Sequence, residues 1–263
     1  MSSSSYTQSA EQEIPPGVPA PARAPDLLGA PLIGSILRSR YLPLTLQIMA
    51  LTLFGWMTYD GFWGSQIKEE NFATLGVWFL FFWPVILLSL IFLGRAWCAV
   101  CPLGTITGAL GRWSRGWLFP KKLSNIGLSL LFFFVILWVL RPMLGLADSP
   151  RFTAWFFVVW AIAAAIIGFL YASRAFCRFL CPIAAPLSVM ARVAPVALRA
   201  ATRGNMSIVC SQCKSHECYK GSATVEGCPV GEYPAIMESN AQCIFCLKCL
   251  KSCPHKGALQ IRL

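Results

Sequence analysis

Four runs without a single Asp, Glu, Lys or Arg set the pattern of this chain: residues 42–59, 71–94, 123–140 and 152–173. They are 18, 24, 18 and 22 residues long. At a rise of about 1.5 Å per residue, each crosses or nearly crosses a hydrocarbon core of about 30 Å. The pattern therefore predicts four transmembrane helices. The alternative, buried core helices, would leave little polar surface to cover four such runs. Ahead of them, residues 1–25 are rich in Ser, Pro and Ala without apolar periodicity, which predicts a disordered tail. No basic start precedes an apolar core there, so the first helix is expected to act as the insertion signal. The expected division is a tail over 1–37, a four-helix transmembrane domain over 38–205, and a cysteine-rich cytoplasmic module over 206–263.

Composition agrees with this division. Hydrophobic residues make up 56% of the 263 and charged residues only 13%, against about 25% charged in a soluble domain. The net charge of +11 is spread in a way that argues against nucleic acid. Arg95, Arg112, Arg115, Lys121 and Lys122 lie between the second and third runs with no acid among them. Arg174, Arg178, Arg192, Arg199 and Arg203 follow the fourth, again without acids, and Arg38 and Arg40 precede the first. The other two loops carry Asp60, Lys68, Glu69 and Glu70, and Arg141, Asp148 and Arg151. This is the positive-inside pattern. It places both termini on the cytoplasmic side of a bacterial inner membrane, with lipid as the first partner.

A repeat lies within the apolar half. Arg95-Ala96-Trp97-Cys98 with Cys101-Pro102 follows the second run, and Arg174-Ala175-Phe176-Cys177 with Cys181-Pro182 follows the fourth. Two helices and a Cys-Pro exit, duplicated, predict two repeated hairpins. Cys98, Cys101, Cys177 and Cys181 could converge as an iron–sulfur or other metal site. They could also serve as a redox-active thiol pair or as small apolar filler at helix ends. The sequence leaves these three readings open.

The tail is more specific. Cys243-x2-Cys246-x2-Cys249-x3-Cys253-Pro254 is the ferredoxin run for a [4Fe–4S] cluster. Ahead of it stands Cys210-x2-Cys213-x4-Cys218-x9-Cys228-Pro229, the same run with stretched gaps. In two-cluster ferredoxins the fourth cysteine of each run ligates the other cluster. One cluster is then expected on Cys210, Cys213, Cys218 and Cys253, and the other on Cys243, Cys246, Cys249 and Cys228. Zinc ribbons instead use paired C-x2-C knuckles a dozen or more residues apart. His216 is read as a solvated side chain rather than a ligand, and the closing residues 258–263 as a short strand. The fold class is thus membrane all-α, with a small α+β ferredoxin-like module at the C-terminus.

Other chemistry has no residues to carry it. The two histidines, His216 and His255, both lie in the tail, so no bis-His haem is expected within the helices. The apolar runs hold no carboxylate for a proton relay. No Gly-rich phosphate loop and no Ser/His/Asp set is visible.

From about residue 40 onward, these features together resemble the NapH/NosR/MauN group of membrane-bound polyferredoxins. The resemblance implies electron transfer between the quinone pool and a partner redox protein or metalloenzyme, and in some members a maturation role. The first exit departs from the group's C-x3-C-P by one residue: Cys98-x2-Cys101-Pro102 is shorter than Cys177-x3-Cys181-Pro182. The expected function is one-electron transfer through two [4Fe–4S] clusters and a possible third site. Quinol is the expected partner. The alternative is an assembly factor or metal-ion reductase that supplies electrons to a partner metalloenzyme.

Overall fold

The computed structural model describes residues 41–76, 94–200, 213–255 and 258–262, with a few single residues between them, among them 28, 39, 92 and 210. Most of the expected N-terminal tail, including all of residues 1–27, and most of the expected second helix, residues 77–91, lie outside the described residues; of the tail, Leu28 and Leu37 are described and pack against the C-terminal core.

Among the described residues, three helices are long and apolar enough to cross a membrane: α1 (Tyr41–Trp63), α3 (Ile126–Met143) and α4 (Pro150–Leu170). Each begins or ends on a local signal. Asn125 caps α3 by accepting the Leu128 N–H, and Pro150 opens α4 at a position where a missing N–H costs nothing. Within α3, residues Ile136–Leu140 form a π turn just before Pro142. A proline cannot donate to the carbonyl four residues back, and a widened turn accommodates that loss. Small residues set the helix contacts. A Cβ on Gly61 would stand 2.8 Å from the Ala154 Cβ, and one on Gly168 would stand 2.9 Å from the Thr107 Cα. The outward faces stay apolar, with Val159 and Ile162 more than half exposed. Such faces suit lipid rather than water.

Each Cys-Pro exit leads into a further short helix. Helix α2 (Pro102–Leu110) starts on Pro102, and α5 (Ala184–Val193) follows Cys181-Pro182. These two lie at the end of the molecule that also holds Ser39, ahead of α1. The opposite end carries the 60–71 loop and the 144–149 turn, joined by Lys68 and Asp148 at 3.1 Å.

The C-terminal unit is built on a two-stranded antiparallel sheet, β1 (Ala197–Ala200) with β2 (Leu259–Arg262). Leu198 pairs with Ile261, and Leu198, Leu259 and Ile261 point into one core with Val196, Leu247 and Leu28. The alternation along β2 is the period of a half-buried strand. The sheet therefore joins residues on both sides of position 205. Two short helices, α6 (Glu217–Lys220) and α7 (Lys248–Ser252), carry cysteines of the two tail runs.

Candidate iron–sulfur sites

The first question is how the two exits, one residue different in length, come to match. In the first, the Cys101 N–H donates to the Trp97 carbonyl four residues back, at 3.0 Å. In the second, the Cys181 N–H donates to the Phe176 carbonyl five residues back, at 2.9 Å, and Phe176–Leu180 is a π turn. The extra residue is absorbed as one wider turn between the same aromatic and the same Cys-Pro. Trp97 thus corresponds to Phe176, Cys98 to Cys177 and Cys101 to Cys181.

The exits also exchange their arginines. Arg95 of the first is fully buried and hydrogen-bonds Ser188 Oγ on α5 at 3.0 Å. Arg174 of the second, 8% exposed, lies across Gly104 and Gly108 of α2. A Cβ on Gly108 would meet the Arg174 Nη2 at 2.4 Å, so glycine is needed for the guanidinium to lie there. Both arginines act electrostatically on the Cys177 sulfur. By charge count alone they are only cytoplasmic charge. The shared Arg-Ala-aromatic-Cys was the signal that they do more.

All twelve cysteines are free, and several of them lie close enough to act electrostatically on one another. Cys181 feels Cys177, Cys101 and Cys98. Cys218 feels Cys253, Cys213 and Cys210. Cys243 feels Cys246 and Cys228, and Cys249 feels Cys246, Cys243, Cys228 and, across to the neighbouring group, Cys218. These are the exit set, the distal tail set and the proximal tail set.

The stretched tail run has a local explanation. In both runs the third cysteine is the second residue of a short helix, Cys218 in α6 and Cys249 in α7, and a left-handed residue stands just before that helix. These are His216 at φ 50° and Leu247 at φ 58°. In the regular run the Cys253 N–H then returns to the Cys249 carbonyl at 3.0 Å. In the stretched run Gly221 to Gly227 loop out, closed by a bridge from Gly221 to Glu226, and the Cys228 N–H returns to the Tyr219 carbonyl at 2.9 Å. The long x9 gap is thus a small excursion on the same turn. His216, expected to be solvated, hydrogen-bonds the Tyr233 hydroxyl through Nδ1 at 2.8 Å.

Burial dominates the thiols. It pushes Cys101 and Cys243 up to about 12 and Cys218 to about 11, and it raises Cys177, Cys181 and Cys249. Cys213 runs the other way, lowered by the Ser215 hydroxyl. Reactive redox thiols need lowered values, so Cys101, Cys177 and Cys181 are poorly suited to thiol exchange. They are suited to ligation that displaces protons.

Does the donor set fit iron–sulfur clusters? Among the described residues, no three Cys, His, Asp or Glu side chains converge on a site for a single metal ion. A tetrahedral zinc–thiolate site would hold its sulfurs about 3.8 Å apart, given Zn–S of about 2.3 Å. A four-iron cubane takes four thiolates spaced more widely around a larger core. A cubane held by four thiolates is also an anion, and the exit set has two buried arginines beside it. Nε and Nη1 of Arg174 are sealed from solvent without a partner, which leaves donors for such a charge. The residues fit.

The tail is fastened to the exits. Arg95 also donates to the Ala241 carbonyl at 3.1 Å, the Gln242 side chain at 3.0 Å and the Cys177 carbonyl at 2.8 Å. One guanidinium therefore spans the exit set and the approach to Cys243. Arg178 holds the Val230 carbonyl at 2.9 Å, and Lys251 of α7 holds the Ser39 carbonyl at 2.7 Å. Above the exits, a cavity of about 230 Å³ opens between α1, α3 and α4. Its lining is almost wholly apolar and ends on Cys101-Pro102 and Cys181-Pro182.

A family model described as a 4Fe-4S binding domain matches the chain twice, over residues 75–122 and 153–199. The two matches hold Cys98 with Cys101 and Cys177 with Cys181, the cysteines whose role the sequence left open. They support a ferredoxin-type iron–sulfur protein. Comparison with curated proteins and with solved structures finds no match.

Proposed function

We propose that this chain carries electrons one at a time along three [4Fe–4S] clusters at the cytoplasmic edge of a bacterial inner membrane. The observation that carries the reading is that a 4Fe-4S binding-domain model matches both segments that hold the exit cysteines, Cys98 with Cys101 and Cys177 with Cys181. On this reading Cys98, Cys101, Cys177 and Cys181 hold one cluster. Cys243, Cys246, Cys249 and Cys228 hold the second, and Cys210, Cys213, Cys218 and Cys253 the third. The clusters, when bound, supply reversible one-electron chemistry.

The protein supplies the surroundings. Burial of Cys177, Cys243 and Cys249 keeps water from the sulfurs. Arg95 and Arg174 offset the charge of the exit set. Arg95 fixes its distance to the proximal tail set, and the approach of Cys249 to Cys218 continues the line to the distal set. Quinol is the proposed electron donor, because the apolar cavity between the helices ends on exit-set cysteines and offers the kind of pocket that takes an apolar ligand. A partner redox protein is proposed at the distal set. The positive-inside pattern supports cytoplasmic termini, and the resemblance to the NapH/NosR/MauN group supports the same direction of thought.

The test is reduction of the anaerobically purified protein by a short-chain quinol, followed by EPR. Reduced-cluster signals at a catalytic rate support the electron-carrier reading. Reduction only by a soluble reductant, with loss of a partner metalloenzyme's cofactor in a deletion strain, would support the maturation reading instead.

A further inference from the structure

A second cavity, of about 460 Å³, lies between α2, the Tyr171–Arg174 turn and the looped-out segment that ends at Cys228. Four cations line it, Arg112, Arg174, Lys220 and Lys248, against one carboxylate, Glu226. Glu226 is already taken: Arg112 and Lys248 both pair with it. Within the cavity, no carboxylate is left for Lys220 and Arg174. Lys220 is exposed and loses little by this. Arg174 is different, because it is more than nine-tenths buried and its Nε and Nη1 have no hydrogen-bond partner among the described residues. A buried guanidinium left unpaired is strongly unfavourable. Of its sealed nitrogens, Nη1 lies over Gly104 and Nε over Gly108. Nη2 lies over Gly108, which lines the cavity.

We propose that this cavity binds a phosphate-bearing anion, either the headgroup of an anionic phospholipid or free phosphate. The guanidinium fork suits tetrahedral oxyanions, and an ammonium such as that of Lys220 completes the charge. The hydroxyl-bearing residues Tyr171 and Ser173 line the same space. The position suits a headgroup, since the cavity adjoins the end of α4, where Trp117 and Phe119 pack on Tyr171 and interfacial aromatics gather at membrane boundaries. The site is made of protein side chains and does not require that the cysteines hold iron.

The test uses the full chain with its iron content measured in every sample, so that failure of the anion site and failure of the cluster reading stay separate. One arm is native mass spectrometry of protein released from nanodiscs containing phosphatidylethanolamine and phosphatidylglycerol. The other is calorimetric titration of detergent-stripped protein with inorganic phosphate. The expected result is one retained phosphatidylglycerol, or one saturable phosphate. Retention of lipid without phosphate binding assigns the headgroup, and the reverse assigns the free anion.

Two variants probe the site without touching a cysteine. Lys220→Gln removes the exposed cation. Gly111→Glu places a carboxylate in the cavity from a helical position (φ −60°) whose Cβ would meet nothing closer than 4.0 Å. Each is expected to weaken binding by about tenfold or more at unchanged iron content. Binding of neither anion by the unmodified chain would overturn the proposal, as would binding that both variants leave intact.

Discussion

Replacing Arg95 by Met should loosen the C-terminal unit from the exits. The side chain has no exposed surface and serves four acceptors: Ser188 Oγ, Gln242 Oε1 and the carbonyls of Cys177 and Ala241. Methionine fills much of the same volume without donors. The two side-chain acceptors can turn to other partners, but the two carbonyls cannot. A buried acceptor left unsatisfied costs about 1–3 kcal/mol, so the two carbonyls together cost about 2–6 kcal/mol. At about 1.4 kcal/mol per tenfold, the population with the tail released should rise about 30-fold or more. Limited proteolysis under native conditions reads this directly, as the rate of cleavage between α5 and α6 relative to the unmodified chain. Arg95→Lys, which keeps the charge and one or two of the bonds, should fall between. An Arg95→Met chain that resists protease as well as the original would refute the reasoning, because it would mean that the guanidinium does not fasten the two units.

Ser129, fully buried on α3, donates to the Cys181 carbonyl at 2.5 Å and accepts the Ala185 N–H at 3.0 Å; Ser129→Ala strands both and should cost about 1–3 kcal/mol in detergent thermal unfolding, against no change if the exit needs no such support. Gly168→Val drives a side chain into the backbone of Thr107 and should destabilise the α2–α4 contact by about 1–3 kcal/mol, read in the same assay. Burial tends to raise the Glu226 carboxyl, but hydrogen bonds and charges from Lys248 and Arg112 more than offset this and hold it below its usual value. Its contribution is therefore present above about pH 4.3, the unfolded value, and lost as pH falls through the lower folded value. The pair is half exposed, so the effect is about 0–1 kcal/mol, and Glu226→Gln should abolish the acid-side decline in tail protection over that window.

Much of the helical part is legible from charge alone. The runs 42–59, 123–140 and 152–173 lie within four residues of α1, α3 and α4 at either end, because a span without ionisable groups has one stable setting in lipid. The ends drift because Trp63 and Met143 are helical residues beyond the uncharged run, past Asp60 and Arg141. The closing strand was visible from alternation at Leu259 and Ile261. Its partner Ala197–Ala200 was not, since four residues next to an apolar run carry no period of their own, and only pairing across some sixty residues makes them a strand. The cysteine runs stand out by their spacing, but the meaning of the x4 and x9 gaps needed the left-handed turns at His216 and Leu247 and the Gly221–Gly227 excursion. Arg95 and Arg174 show the clearest limit. A count of charges per loop assigns an arginine to a side of the membrane, yet it cannot distinguish a solvated one from one folded inward across its pseudo-equivalent partner.

The most direct measurement is an iron and acid-labile sulfide determination on anaerobically purified protein, repeated on a chain with Cys98 and Cys177 changed to Ala. Three four-iron clusters predict about twelve irons and about twelve sulfides per chain, falling to about eight of each in the double variant while the tail signals persist in EPR. Zinc in place of iron, or an iron content that the double variant leaves unchanged, would contradict the account.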